Sequence, residues 1–199
     1  MRPSETSRIE AFSDGVFAIA ITLLILNVQV PAPTAGALGP ALVRQWPSYL
    51  AFFASFATIG VMWVNHHRLF SYIERGDDGL LGLNLLLLLG VTWLPFPTAL
   101  VATHMRSPDQ RLAGLVYSGT FLGLALVFNG LWRYVMWRGL VGDHEHVRSI
   151  KRQYALGPLF YAAMVVVALV NATACVVVSA VLATYFALPP RLWKLRHPT

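Results

Sequence analysis

The sequence predicts an all-α integral membrane protein that crosses the bilayer six times. Three observations carry that prediction. Of the 199 residues, 56% are hydrophobic and only 12% charged, and the mean hydropathy is +0.59. A soluble domain carries about twice that charged fraction, and so apolar a chain cannot cover its surface with polar groups in water. The apolar residues also fall into runs of spanning length. Finally, the 15 Lys and Arg residues lie almost entirely between those runs. In a soluble protein the +6 net charge would suggest a polyanion partner. Here it reads as an orientation signal, so no nucleic-acid partner is expected.

A spanning helix needs about 20 mainly apolar residues to cross ~30 Å of hydrocarbon. The first candidate runs from about Glu10 to Val30 and ends at the Pro31-Ala32-Pro33 turn. It does not read as a signal peptide: Glu5, Glu10 and Asp14 spoil a basic leader, and no small-x-small site precedes Pro31. The second runs from about Pro47 to Phe70 and the third from about Gly79 to Thr103, with Pro95 and Pro97 placed to break its end. The fourth runs from about Arg111 to Trp137.

The last stretch is ambiguous. Tyr154 to Leu188 is 35 residues without a charge. At ~1.5 Å per residue that is ~52 Å, too long for one span and slightly short for two. Asn171-Ala172-Thr173 near its middle offers a tight turn, which gives spans of about 155–170 and 173–188. The same triplet spells a glycosylation sequon, but a tight turn at the membrane surface is a poor acceptor.

Basic residues settle the count. With six spans and the N-terminus inside, the inner segments hold Arg2, Arg8, Arg68, Arg75, Arg133, Arg138, Arg148, Lys151, Arg152, Arg191, Lys194 and Arg196. That is 12 of 15, against 9 of 15 for five spans. The positive-inside rule therefore favours six spans with both termini cytoplasmic. Residues 1–199 read as a single transmembrane domain, since the longest polar loop, about Arg138 to Gln153, is too short to fold alone.

Reactive constellations are missing from the sequence. His66 and His67 are adjacent, so on a helix they point about 100° apart and rarely share a metal ion. Asp143-His144-Glu145-His146 reads as a solvated charged loop rather than a zinc site. There is no Gly-rich phosphate loop, no H-E-x-x-H and no G-x-S-x-G, so neither an enzyme nor a metal or organic cofactor is expected. Cys175, the single cysteine, reads as a small buried hydrophobe.

Transport and channel readings remain. The central parts of the spans lack charge apart from the histidines, which argues against an ion-coupled transporter. A small secondary transporter or proton conductor using Asp14 and the histidines is nevertheless the alternative. A channel needs a lined path, and Ile19, Thr22, Leu23, Leu26 and Val30 fall on one stripe of the first helix. The same spacing suits lipid-facing or packing side chains. Thr22 alone in mid-helix suits a bond to its own i−4 carbonyl. No T-V-G-Y-G carbonyl filter exists in the chain.

The stretch "RIEAFSDGVFAIAITLLIL" at 8–26 resembles the R-x-x-x-F-S-D signature that opens the first helix of the transmembrane protein 175 family, the endolysosomal and bacterial potassium channels. Arg8, Phe12, Ser13 and Asp14 match the signature itself. Further matches are Trp63-Val64-Asn65-His66-His67-Arg68-Leu69-Phe70, then Asn84 and Leu94-Pro95-Phe96. The resemblance covers essentially the whole chain, because bacterial members are similarly short six-span proteins.

What the resemblance implies is a homotetramer of six-helix subunits in a bacterial plasma membrane, with the first helix lining a central pore for potassium and other monovalent cations. Carried over by position from the aspartate, the family's narrow ring falls on Ile19, its further hydrophobic rings on Leu23 and Leu26, and its ion-preference threonine on Thr22. Animal members contain two such repeats and also conduct protons. The polar cluster is then expected at the cytoplasmic end of the first helix, where Asp14 meets the positive end of the helix dipole. Ser13 and Asp14 are expected to bond to His66 or His67, Asn65, Trp63 and Asn84, fixing the rotation of the pore helix. The simpler alternative is N-capping by Ser13 or Asp14. A dry ring of isoleucine and leucine implies a leak with moderate preference for potassium over sodium.

Overall fold

A computed structural model describes residues 3–33, 36–142 and 147–187, with side chains described over 6–33, 36–142 and 157–184. The charged segment 143–146, read above as a solvated loop, lies outside the described residues. Eight α-helices follow one another: α1 (Pro3–Leu23), α2 (Leu38–Arg44), α3 (Trp46–Phe70), α4 (Asp78–Trp93), α5 (Pro95–His104), α6 (Gln110–Trp137), α7 (Val147–Ala168) and α8 (Ala172–Ala187). A 3₁₀ turn, Leu24–Asn27, prolongs α1.

Among the described residues, four stretches are long and apolar enough to cross a membrane: Thr6–Asn27, Trp46–Phe70, Asp78–His104 and Gln110–Trp137. The apolar parts of the last two helices, Gly157–Ala168 and Ala172–Thr184, are shorter. At ~1.5 Å per residue each covers only ~20 Å.

Several boundaries differ from the sequence expectation, each for a local reason. α1 starts at Pro3 rather than near Glu10, because the polar residues ahead of the apolar run continue the helix. Ser13 and Asp14 therefore lie in mid-helix, and neither caps it nor meets its dipole end. α1 leaves α geometry after Leu23, so Leu26 sits in the tighter 3₁₀ turn and Val30 lies beyond it, outside any helix. The third span is two helices, with the break at the prolines expected to make it. Pro95 supplies no N–H, so the α4 ladder ends at Leu94 and α5 starts with Pro95 in its first turn. The final turn falls at 169–171, two residues before the triplet expected to form it. Asn171 Oδ1 accepts the Ala174 N–H at 2.9 Å, capping α8 and leaving Thr173 inside it.

α1 packs on α3, α4 and α5, while α6 packs on α4, α5, α7 and α8; α3 joins the two groups through α5 and α8. The core so enclosed is led by Leu24, Ile59, Leu69, Leu87, Val91, Phe121, Leu131 and Met164. Inside it runs a chain of hydroxyls. Thr98 donates to Leu94 O at 2.8 Å, Ser55 lies 2.9 Å from Thr98 and 3.1 Å from Tyr117, Tyr117 lies 3.1 Å from Ser179, and Ser179 donates to Val176 O at 2.7 Å. All four residues are fully buried. Four hydroxyl protons thus serve five contacts, so one contact always lacks a proton.

A polar clasp closes one end of the bundle. Asp77 Oδ1 accepts the Leu80 N–H at 2.9 Å as the N-cap of α4, and Oδ2 accepts from Tyr134 Oη at 2.9 Å and Arg138 Nε at 3.2 Å. The Leu80 amide first, then Tyr134 and Arg138, hold the Asp77 carboxyl below its ordinary pKa. A Cβ on Gly79 would collide with the Tyr134 hydroxyl, so only glycine allows this approach. Beside it, Ile73 bridges to Val141 and Glu74 N donates to Leu140 O at 3.0 Å.

Candidate functional site

α1 has two contrasting faces. Ser13, Phe17, Ala20 and Leu24 are buried against α3, α4 and α5. On the other side Phe12, Ile19, Leu23 and Leu26 are 58%, 61%, 42% and 69% exposed. Large apolar side chains turned away from their own subunit require lipid, another copy or a dry passage as a neighbour. Arg8 is exposed on the same side. Thr22 is exposed, and its Oγ1 donates to Ile19 O at 2.9 Å, the i−3 carbonyl rather than the i−4 one expected.

The buried face is fixed by polar contacts that arise because α1 remains helical through its polar start. Ser13 Oγ donates to Ile9 O at 2.8 Å and accepts from Asn84 Nδ2 at 2.9 Å. Asn84 Oδ1 lies 2.8 Å from His66 Nε2, so that nitrogen carries the proton and His66 Nδ1 is left without a hydrogen-bond partner. The His66 ring is enclosed by Phe70, stacked at 4.3 Å, and by Phe17 at 5.4 Å. Ser13, His66 and Asn84 are each 0–1% exposed. α1, α3 and α4 are thus joined through three side chains at one level.

Two further contacts flank this core. Trp63 Nε1–H donates to Asp14 Oδ1 at 2.8 Å. Glu10 Oε1 pairs with His67 Nδ1 at 2.7 Å, and the His67 ring stacks on Trp63. Both histidines therefore contribute, but to different partners, because adjacent helical residues diverge by about 100°.

One expected member is elsewhere. Asn65 lies on another face of α3, where it lines a cavity with residues of α6 and α7. Conversely, Asn27 was not singled out in the sequence. Its Nδ2 donates to Pro95 O at 3.3 Å, tying the far end of the α1 segment to the break between α4 and α5. The pairing of a helix-ending asparagine with a proline-broken span was the available signal. Among the described residues no group of three or more His, Cys, Asp or Glu converges on a metal-sized site.

Comparison with known proteins gives a consistent result. A model of the endosomal/lysosomal potassium channel TMEM175 family matches residues 8–95. A potassium channel of Chamaesiphon minutus is 49% identical over 193 residues, covering 93% of this chain and 95% of that one. One of Streptomyces collinus is 44% identical over 189 residues, covering 92% of each. Among solved structures, the crystal structure of a lysosomal potassium-selective channel TMEM175 homolog from Chamaesiphon minutus superposes with a TM-score of 0.86. It is 49% identical and covers 92% of this chain and 97% of that one.

Proposed function

This chain belongs to the TMEM175 family of potassium channels, and on that premise we propose that it is a potassium-permeable leak channel whose constriction is built from α1. Channel function and residence in a membrane follow from the family and the apolar spans. The finer reading is of a homotetramer of six-span subunits, each the single domain 1–199, in a bacterial plasma membrane with both termini cytoplasmic. Four copies of α1 would meet at the axis, with Ile19, Leu23 and Leu26 as successive apolar rings and Thr22 tuning ion preference.

The observation that carries the reading is the outward stripe of α1. Ile19, Leu23 and Leu26 are exposed while the opposite face is locked to α3 and α4. Isoleucine and leucine offer no ligand to a cation, so the ion passes largely hydrated when the rings widen, and the rings themselves serve as gate. Discrimination between potassium and sodium is then moderate, as expected where no carbonyl filter strips the ion. Asp14, His66 and His67 are each held by a partner within the subunit, which supports a positioning role over a carrier role.

The test is potassium flux in liposomes, with and without Ile19→Cys treated with a thiol reagent. Cys175 is fully buried and serves as the unmodified background. Block of the variant alone places Ile19 in the path. Robust flux without block moves the pore away from α1, and absence of wild-type flux refutes the channel reading.

A further inference from the structure

The proposed pore leaves Asn65 unused, and the space in front of it has a defined chemistry. Met62 and Asn65 of α3, Leu124 and Asn129 of α6, and Gly157 and Tyr161 of α7 surround a cavity of about 70 Å³. The other described residues of its wall are apolar, and among the described residues no charged one lines it. The Asn65 side chain has no hydrogen bond to a described residue. Asn65 is half-buried, so its amide is available to a polar group that enters the cavity.

Polarity in the cavity has a direction. Asn65 lies five residues before the end of α3 and Asn129 eight before the end of α6, at Phe70 and Trp137. Those are the ends that the basic residues place on the cytoplasmic side. Phe121 and Leu124 carry the wall from there toward mid-membrane. A Cβ built on Gly157 meets nothing within 4 Å, so a larger side chain has room there. The cavity holds only a few methylenes, and it is not closed, so a longer chain continues into the surrounding bilayer.

We propose that this cavity binds the head end of a neutral amphiphile, its hydroxyl or ester oxygen on the Asn65 amide and its alkyl chain along Phe121 and Leu124. The occupant comes from the bilayer that α3 and α6 are long and apolar enough to cross. The head is uncharged, because none of the described lining residues offers a carboxylate or ammonium a counter-charge.

Photolabelling of the purified protein in liposomes tests it, using a chain-diazirine analogue of decanol and the matched decanoate, with sites mapped by mass spectrometry. Decanol labelling is expected on the Met62 and Tyr161 peptides, saturable by unlabelled decanol and well above decanoate labelling. Gly157→Leu fills the cavity and abolishes it; should that variant not reconstitute, Ala125→Leu fills the same space from α6. Asn65→Leu is expected to weaken decanol competition about fivefold, the loss of one hydrogen bond. Labelling that does not saturate, persists in both filled variants, ignores Asn65→Leu or is equally strong with decanoate overturns the proposal. So does the absence of labelling at these peptides.

Discussion

Asn84→Ala attacks the junction of α1, α3 and α4 at its centre, and its cost can be worked from the contacts. Asn84 is 1% exposed, donates to Ser13 Oγ at 2.9 Å and accepts from His66 Nε2 at 2.8 Å. Ser13 keeps its donation to Ile9 O, so it loses only an incoming bond. His66 is left with a buried N–H and no acceptor between Phe17 and Phe70, which costs about 1–3 kcal/mol. Truncation adds roughly 1 kcal/mol for the space vacated. Side-chain hydrogen bonds within membranes average only ~0.6 kcal/mol, so the lower half of that range applies, about 2–3 kcal/mol in total. Ser13→Ala leaves one Asn84 N–H unpaired and little vacant space, about 1 kcal/mol. Equilibrium unfolding in mixed micelles with rising SDS measures both. If Asn84→Ala lies within about 0.5 kcal/mol of wild type, or costs no more than Ser13→Ala, the junction does not hold the helices as described.

Ile19→Asn places an amide in the apolar ring and should raise sodium flux relative to potassium in liposomes; an unchanged ratio would falsify the constriction. Asp77 has a lowered pKa, so its clasp contributes stability above the ordinary aspartate range, and that contribution disappears as pH falls through the depressed native value. Asp77→Asn should therefore unfold with a shallower dependence on pH in that acidic window, read from acid titrations of both proteins. Gly79→Ala pushes the Tyr134 hydroxyl off Asp77 and should flatten the profile only in part, because the Leu80 amide, the largest cause of the shift, still bonds to Asp77. Tyr117→Phe should cost only about 1 kcal/mol by SDS unfolding, because three remaining protons then serve three remaining contacts.

Much of this was legible from the chain, and the pattern of success has a physical basis. Apolar run length and the placement of Arg and Lys respond directly to the bilayer, so the four long helices were readable to within a few residues at most ends. Helix starts were less so: polar Ser7, Arg8 and Glu10 look like a boundary, yet they are helical because a helix may leave the hydrocarbon without ending. Ser13, Asp14, His66 and Asn84 could be named as partners because polar groups in spans must pair. Spacing alone did not say that Asn65 would point elsewhere, since Trp63, Asn65, His66 and His67 are spread around α3 and only its packing decides which face meets α1. The Ser55–Thr98–Tyr117–Ser179 chain was invisible for the same reason. Its members lie on four helices, and each small hydroxyl alone suits a bond to its own backbone.

The polar contacts and the outward stripe of α1 form one device when considered by rotation. A slip of one residue turns α1 by about 100° and shifts it ~1.5 Å. That breaks the Ser13, Asp14 and Glu10 contacts together, because all three lie within little more than one turn. At ~0.6 kcal/mol or more each, the penalty is about 2 kcal/mol, a factor of roughly 30 between registers. The sequence makes such a slip consequential. The neighbours of Ile19 are Ala18 and Ala20, so either direction puts a methyl group where the narrow ring is proposed. Asn27 on Pro95 O holds the other end of the segment, so the twist cannot be relaxed there either. On the proposed pore, residues that never touch the permeating ion therefore set the width of its path.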